Sequence, residues 1–238
     1  MTPSRLVDHQ LEGKPHEAYL VHDGSGEARP TVLLFHGWDG RPPMMDEMAD
    51  RVAGLGYNAY AVDLYGKGKV GNSPEECQAL MNPLVGDRAR LRALLLAAIE
   101  VAATQPEIDA SRMAAIGFCF GGLCVLDCAR AGAPLRGVAS FHGLFNPAGL
   151  PTVTPIRSKI IAFHGWNDPM APPESALALG QELTAAGADW QLHAFGGTMH
   201  AFMHEGANAP QMGIQYNADS ARRAWAGMSG FLHEVIGG

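Results

Sequence analysis

The chain has 238 residues, of which 47% are hydrophobic and 17% charged, with a formal net charge of -7 at pH 7. That length suits one large α/β domain with a sizeable core, and the charge content is low for a disordered chain. The acidic balance excludes the basic face that a nucleic-acid partner requires, and no run reaches the roughly 18 consecutive apolar residues of a membrane span.

In chain order, Met1 to Gln10 has no apolar segment behind a basic start, so no secretory leader is expected and a cytoplasmic protein is. Short apolar runs then alternate with amphipathic stretches. Thr31–Phe35, Asn58–Val62, Met113–Gly117, Val138–Phe141, Ile160–His164 and Trp190–Ala194 read as strands, most of them continuously apolar, as strands covered on both faces are. Met44–Leu55, Asp87–Thr104, Gly122–Ala131, Glu174–Ala186 and Asp219–Val235 carry helical patterns. This alternation predicts a mostly parallel central sheet with helices on both faces. Without a linker, low-complexity segment or repeat, residues 1–238 read as one domain. The four cysteines, Cys77, Cys119, Cys124 and Cys128, have no zinc-knuckle spacing and form no disulfide framework. Cys124 and Cys128 fall on an apolar helical face and are expected to be buried thiols.

Gly117-Phe118-Cys119-Phe120-Gly121-Gly122 follows one predicted strand and opens a predicted helix. This is the context of the nucleophile elbow of α/β-hydrolases, with Cys119 at the nucleophile position. Such a turn strains the nucleophile's backbone and needs glycines beside it. The helix N-terminus adds partial positive charge that favours a thiolate. Taken alone, the pentapeptide Gly117 to Gly121 also fits a structural cysteine beside a Gly-rich turn, so the partners decide.

In this fold the acid and then the histidine follow the nucleophile along the chain. Asp168 lies just past the strand Ile160–His164, in Gly165-Trp166-Asn167-Asp168-Pro169. His200 lies past the last strand, in Gly196-Gly197-Thr198-Met199-His200. His200 would serve as general base and acid, with Asp168 fixing its tautomer. A second oxyanion donor beside the Phe120 amide is expected from the Trp38 amide, in His36-Gly37-Trp38-Asp39-Gly40. Asp39 precedes the nucleophile and ranks below Asp168 as the acid. His142 and His164, at strand ends, read as structural or pocket-wall residues. His200 and His204 have the spacing of helical metal ligands, but the Gly-rich loop before them argues against a metal site.

These segments, with His200-Ala201-Phe202 and the tail Tyr216-Asn217 and Ala221-Arg222-Arg223-Ala224-Trp225, resemble the dienelactone hydrolase family of α/β-hydrolases over about Val32 to Leu232. The resemblance implies hydrolysis of a small-molecule ester or lactone through an acyl-cysteine on Cys119, with no metal or organic cofactor. Two positions depart from the family. No glutamate stands in the oxyanion loop, and His204 stands where the family carries a substrate-gripping arginine. Activation of Cys119 is therefore expected from His200 and the helix N-terminus, and a carboxylated lactone is not the expected preference. His36, Trp166 and His204 are the candidate substrate contacts. Trp38, Phe118, Phe120 and Met199 are candidates for an apolar wall, and Lys67 and Lys69 for an anion contact. The alternative is a non-catalytic binding protein on the same fold. The oligomeric state is not set by these residues.

Overall fold

A computed structural model describes residues 2–237; Met1, the start of the stretch read for a leader, and Gly238 lie outside the described residues. The elements are β1 (Ser4–Leu11), β2 (Lys14–Val21), β3 (Arg29–Phe35), α1 (Pro43–Ala53), β4 (Asn58–Val62), α2 (Pro74–Val85), α3 (Arg88–Ala103), β5 (Ile108–Phe118), α4 (Phe120–Ala131), β6 (Gly137–Phe141), β7 (Lys159–Gly165), α5 (Pro173–Ala185), β8 (Trp190–Phe195), β9 (Asn208–Ala209), β10 (Ile214–Gln215) and α6 (Ala218–Ile236). One 8-stranded sheet has the order β1-β2-β4-β3-β5-β6-β7-β8. The strands from β4 to β8 run parallel, and the β1–β2 hairpin joins antiparallel at the β4 edge. This is the α/β-hydrolase architecture expected from the strand–helix alternation. The hairpin, α2 and the β9–β10 ribbon add to it. Among the described residues no helix is long and apolar enough to cross a membrane.

The apolar runs fill both faces of the sheet with period-2 precision. Leu33 and Phe35 of β3 pack into a core with α3, α4 and α5. Val32 and Leu34 point the other way, into a core with α1 and α6. The chain lays β4 on one side of β3 and then β5 on the other. The crevice beyond the carboxyl ends of β3 and β5 is thus a topological switch point, where ligand sites of open α/β sheets form.

Helix α4, buried nearly all round, is also tied to its neighbours by charge. Asp127, fully buried, accepts from Arg88 Nε and Nη2 at 2.8 and 2.7 Å and from Arg130 Nη1 at 3.1 Å. Arg130, 1% exposed, donates to both carboxylate oxygens of Glu182 on α5 at 2.7 Å. Removing one partner leaves buried charge uncompensated. Asp127→Ala is expected to destabilise the protein by about 3–5 kcal/mol, read from urea unfolding midpoints. A loss below about 1 kcal/mol would place this group with ordinary surface pairs.

Candidate active site

The sharp turn between β5 and α4 puts Cys119 at the N-cap of α4 with φ 54° and ψ -112°. Few non-glycine residues adopt such angles, and they concentrate at functional sites. Two glycines make the turn possible. A Cβ on Gly117 would run into the carbonyl of Gly121, and one on Gly121 into the carbonyl of Phe35. The Cys119 amide is consumed by Phe141 O at 3.0 Å. Phe120, the first residue of α4, has no intrahelical acceptor for its N–H. That amide and the positive end of the helix dipole therefore lie at the residue following Cys119.

Asp168 turns off the end of β7, its N–H on Gly165 O at 3.0 Å. Its Oδ1 accepts from the Met170 amide at 2.8 Å, and its Oδ2 meets His200 Nδ1 at 2.7 Å. The carboxylate can only accept, so Nδ1 carries a proton toward Asp168 and Nε2 is the nitrogen left for Cys119. Nε2 has no hydrogen-bond partner among the described residues. The His200 backbone is clamped by the β9–β10 ribbon: its N–H donates to Gly213 O and its carbonyl accepts from Gln215, at 2.9 and 3.0 Å. Burial pulls the His200 pKa down, but its hydrogen bond to Asp168 and the adjacent Cys119 outweigh it and raise it to about 10. A raised folded pKa stabilises fully below the unfolded value, here 6.5, and the gain fades as pH rises through about 10. In urea, the stability difference between the protein and His200→Gln is expected to shrink over that range. A difference that grows with pH would contradict the Asp168–His200–Cys119 arrangement.

Cys119, His200, Trp38, Phe118 and His204 all line one cavity of about 730 Å³. Its wall includes Met44, Met45, Met48, Met81, Met170, Met203 and Met212, with Pro74, Gln78 and Asn82 from α2 along one side. Asp39 is its one carboxylate, and no Lys or Arg belongs to it among the described residues. Methionine walls adapt to differently shaped apolar groups.

Most of the other sequence candidates lie outside this cavity. His36 is fully buried and outside the cavity wall, so it is not a substrate contact. Its Nε2 accepts from the Leu64 amide at 3.2 Å, which leaves Nδ1 protonated to bond Gly37 O at 2.7 Å. Because the Gly37–Trp38 peptide is planar and trans, fixing Gly37 O aims the Trp38 N–H the opposite way. Tyr65 Oη holds the next carbonyl, Trp38 O, at 3.1 Å. His36 thus supports the loop. Trp166 is 47% exposed and lines a separate groove with Leu177 and Trp190, so the substrate-facing position expected of it is corrected too. The Phe120 side chain is in the core, and Lys67 pairs with Asp8 and Glu17 at 2.6 and 2.7 Å. His204 is exposed at the rim, its Nδ1 accepting from the Gly206 amide at 2.9 Å. Cys124 and Cys128 are buried, which pushes both thiols up. Among the described residues no group of three or more His, Cys, Asp or Glu is placed to hold a metal ion.

Sequence reasoning read His142 as a structural or pocket-wall residue and gave it no chemical role; it lines the cavity beside His200. The signal available was its place just past the end of β6, the strand beside the elbow strand.

Comparison with known proteins gives the family. The family model described as "Dienelactone hydrolase family" matches residues 17–236. The structure called m3DLH is 36% identical and superposes with a TM-score of 0.92, covering 99% of each chain. The dienelactone hydrolase-like promiscuous phosphotriesterase P91, from metagenomic libraries, is 33% identical, also with a TM-score of 0.92 over 99% of each chain. The esterase YpfH of Escherichia coli (strain K12) is 29% identical over 180 residues, 73% of this chain and 77% of that protein. With a matched family model over nearly its whole length, the chain belongs to the dienelactone hydrolase family and is an ester or lactone hydrolase.

Proposed function

We propose that this protein hydrolyses neutral, largely apolar carboxylic esters through an acyl-cysteine on Cys119. The 2.7 Å bond between His200 Nδ1 and Asp168, with Nε2 left open beside Cys119, carries this reading. The thiolate attacks the ester carbonyl, and the amides of Phe120 and Trp38 receive the oxyanion. The imidazolium of His200 gives its proton to the departing alcohol. One water then adds to the thioester, passing a proton back to His200, and the C–S bond breaks to free the acid and the thiolate. His204 at the rim offers Nε2–H to the outer part of the substrate.

The wall supports a neutral substrate. Asp39 repels a substrate carboxylate, and among the described residues no Lys or Arg in the wall offsets it. p-Nitrophenyl butyrate is therefore expected to turn over at least tenfold faster, as kcat/KM, than cis- or trans-dienelactone, each of which bears a carboxylate. A reverse order would sink the neutral-ester assignment. The likeness to P91 favours a second reading in which a neutral aryl phosphotriester enters the same apolar cavity. Such a triester, added to the panel, should react only where Cys119 is present.

A further inference from the structure

His142 is 3% exposed, yet neither ring nitrogen has a hydrogen-bond partner among the described residues. Buried polar side chains are nearly always paired, so an orphaned imidazole in a cavity wall needs an account. Its backbone holds φ 37°, in the left-handed region that a histidine rarely adopts. A hydrogen bond from its N–H to Phe163 O, at 2.9 Å, keeps it there. The ring stands edge-on to His200, with centroids 5.1 Å apart, and edge-on to Phe202 at 5.4 Å. It lines the same cavity as Cys119 and His200. Burial, and then the neighbouring His200 and His204, hold its pKa well below the usual histidine range. A neutral imidazole keeps one acceptor nitrogen and one N–H.

From this juxtaposition we propose that His142 touches the hydrolytic water: its unprotonated ring nitrogen accepts one O–H while His200 Nε2 takes the proton of the other. This rests on the acyl-cysteine reading above and concerns its second half. The acceptor would orient an oxygen lone pair toward the thioester carbon, a positioning effect on one step. No proton is transferred to His142, and water supplies both the acid's new oxygen and the proton gained by His200. Attack of Cys119 on the ester requires no such water, so acylation is left alone.

The test uses His142→Phe, which keeps a ring but no acceptor, and His142→Asn, which keeps an acceptor and tolerates positive φ. Stopped-flow release of p-nitrophenolate from p-nitrophenyl butyrate gives the acylation and deacylation rates separately. In His142→Phe, acylation should stay within about threefold, deacylation should fall about 10- to 100-fold, and acyl-Cys119 should accumulate. Hydroxylamine, a nucleophile that does not need the water site, should restore turnover in His142→Phe, and His142→Asn should recover part of the loss. Equal loss in both steps in both variants, or unchanged deacylation in His142→Phe, would overturn the proposal. Turnover by the unaltered protein without any acyl-Cys119 would instead overturn the acyl-cysteine reading, a different and separately visible failure.

Discussion

Cys119→Ala is expected to lower kcat/KM for p-nitrophenyl butyrate by at least about 10³-fold, approaching the ~10⁶-fold losses seen when a triad nucleophile is removed. The substitution deletes the sulfur proposed to form the covalent intermediate. Water would have to attack the ester directly, aided only by the Phe120 and Trp38 amides and by binding in the methionine-lined cavity. A residual acceleration over bulk water should survive from those parts. The fold should not suffer, because the backbone at 119 is set by the Gly117 and Gly121 contacts and by the amide bond to Phe141 O. Thermal unfolding of Cys119→Ala is therefore expected within a few degrees of the parent. Activity that survives the substitution would return the non-catalytic cysteine, and the binding-protein alternative, to the front.

Gly121→Ala should act on the fold itself. A methyl group there meets the Phe35 carbonyl carbon at 2.6 Å and its oxygen closer still, with His36 O at 2.7 Å. All three are backbone atoms, so no rotamer change relieves the clash, and the crossing of α4 over the end of β3 must open. Losses from such forced strain exceed about 4 kcal/mol, a large part of the 5–15 kcal/mol that holds a domain together. Little soluble protein, or a urea midpoint far below the parent, is the expected result. A Gly121→Ala protein of parental stability would contradict the close packing of the elbow against β3. By contrast, Gly196 and Gly230 meet nothing within 4 Å, so an alanine at Gly230, which lies inside α6, serves as a neutral control.

The parts of this architecture that announce themselves in sequence are those whose pattern reflects burial. β4 and the central spans of β3, β5, β6 and β7 are covered on both faces, so their apolar runs stand out. The hairpin at the edge is different. β1 and β2 alternate exposed and buried residues, and their turn is Glu12-Gly13, at φ 51° and 70°, where the usual hairpin signal is Asn-Gly or Asp-Gly. Helix α2 buries only Cys77 and Leu84 and carries Pro83 inside, so no apolar period betrays it. Its start did carry a readable capping signal: Ser73 Oγ accepts from the Glu76 amide, and the Glu76 carboxylate reaches back to the Asn72 amide.

The same logic divides the site. The order of Cys119, Asp168 and His200 along the chain follows from strand ends meeting at one edge of a parallel sheet, which sequence reports. Whether a given side chain at that edge turns in or out depends on partners far away in sequence. His36 is claimed by the Leu64 amide, 28 residues on, and Trp166 turns toward the groove beside α5. His142 shows the converse, since nothing in its local sequence distinguishes a satisfied wall histidine from one left without a hydrogen-bond partner.

The proposed chemistry turns on a covalent bond to one sulfur. Rapid acid quench of the protein during turnover of p-nitrophenyl butyrate, followed by intact-mass and peptide mapping, looks for it directly. A single butyryl group on the peptide bearing Cys119, absent from Cys119→Ala and discharged by hydroxylamine, is the predicted result. Sustained turnover with Cys119 unmodified, or with the acyl group on another residue, would contradict the acyl-cysteine mechanism.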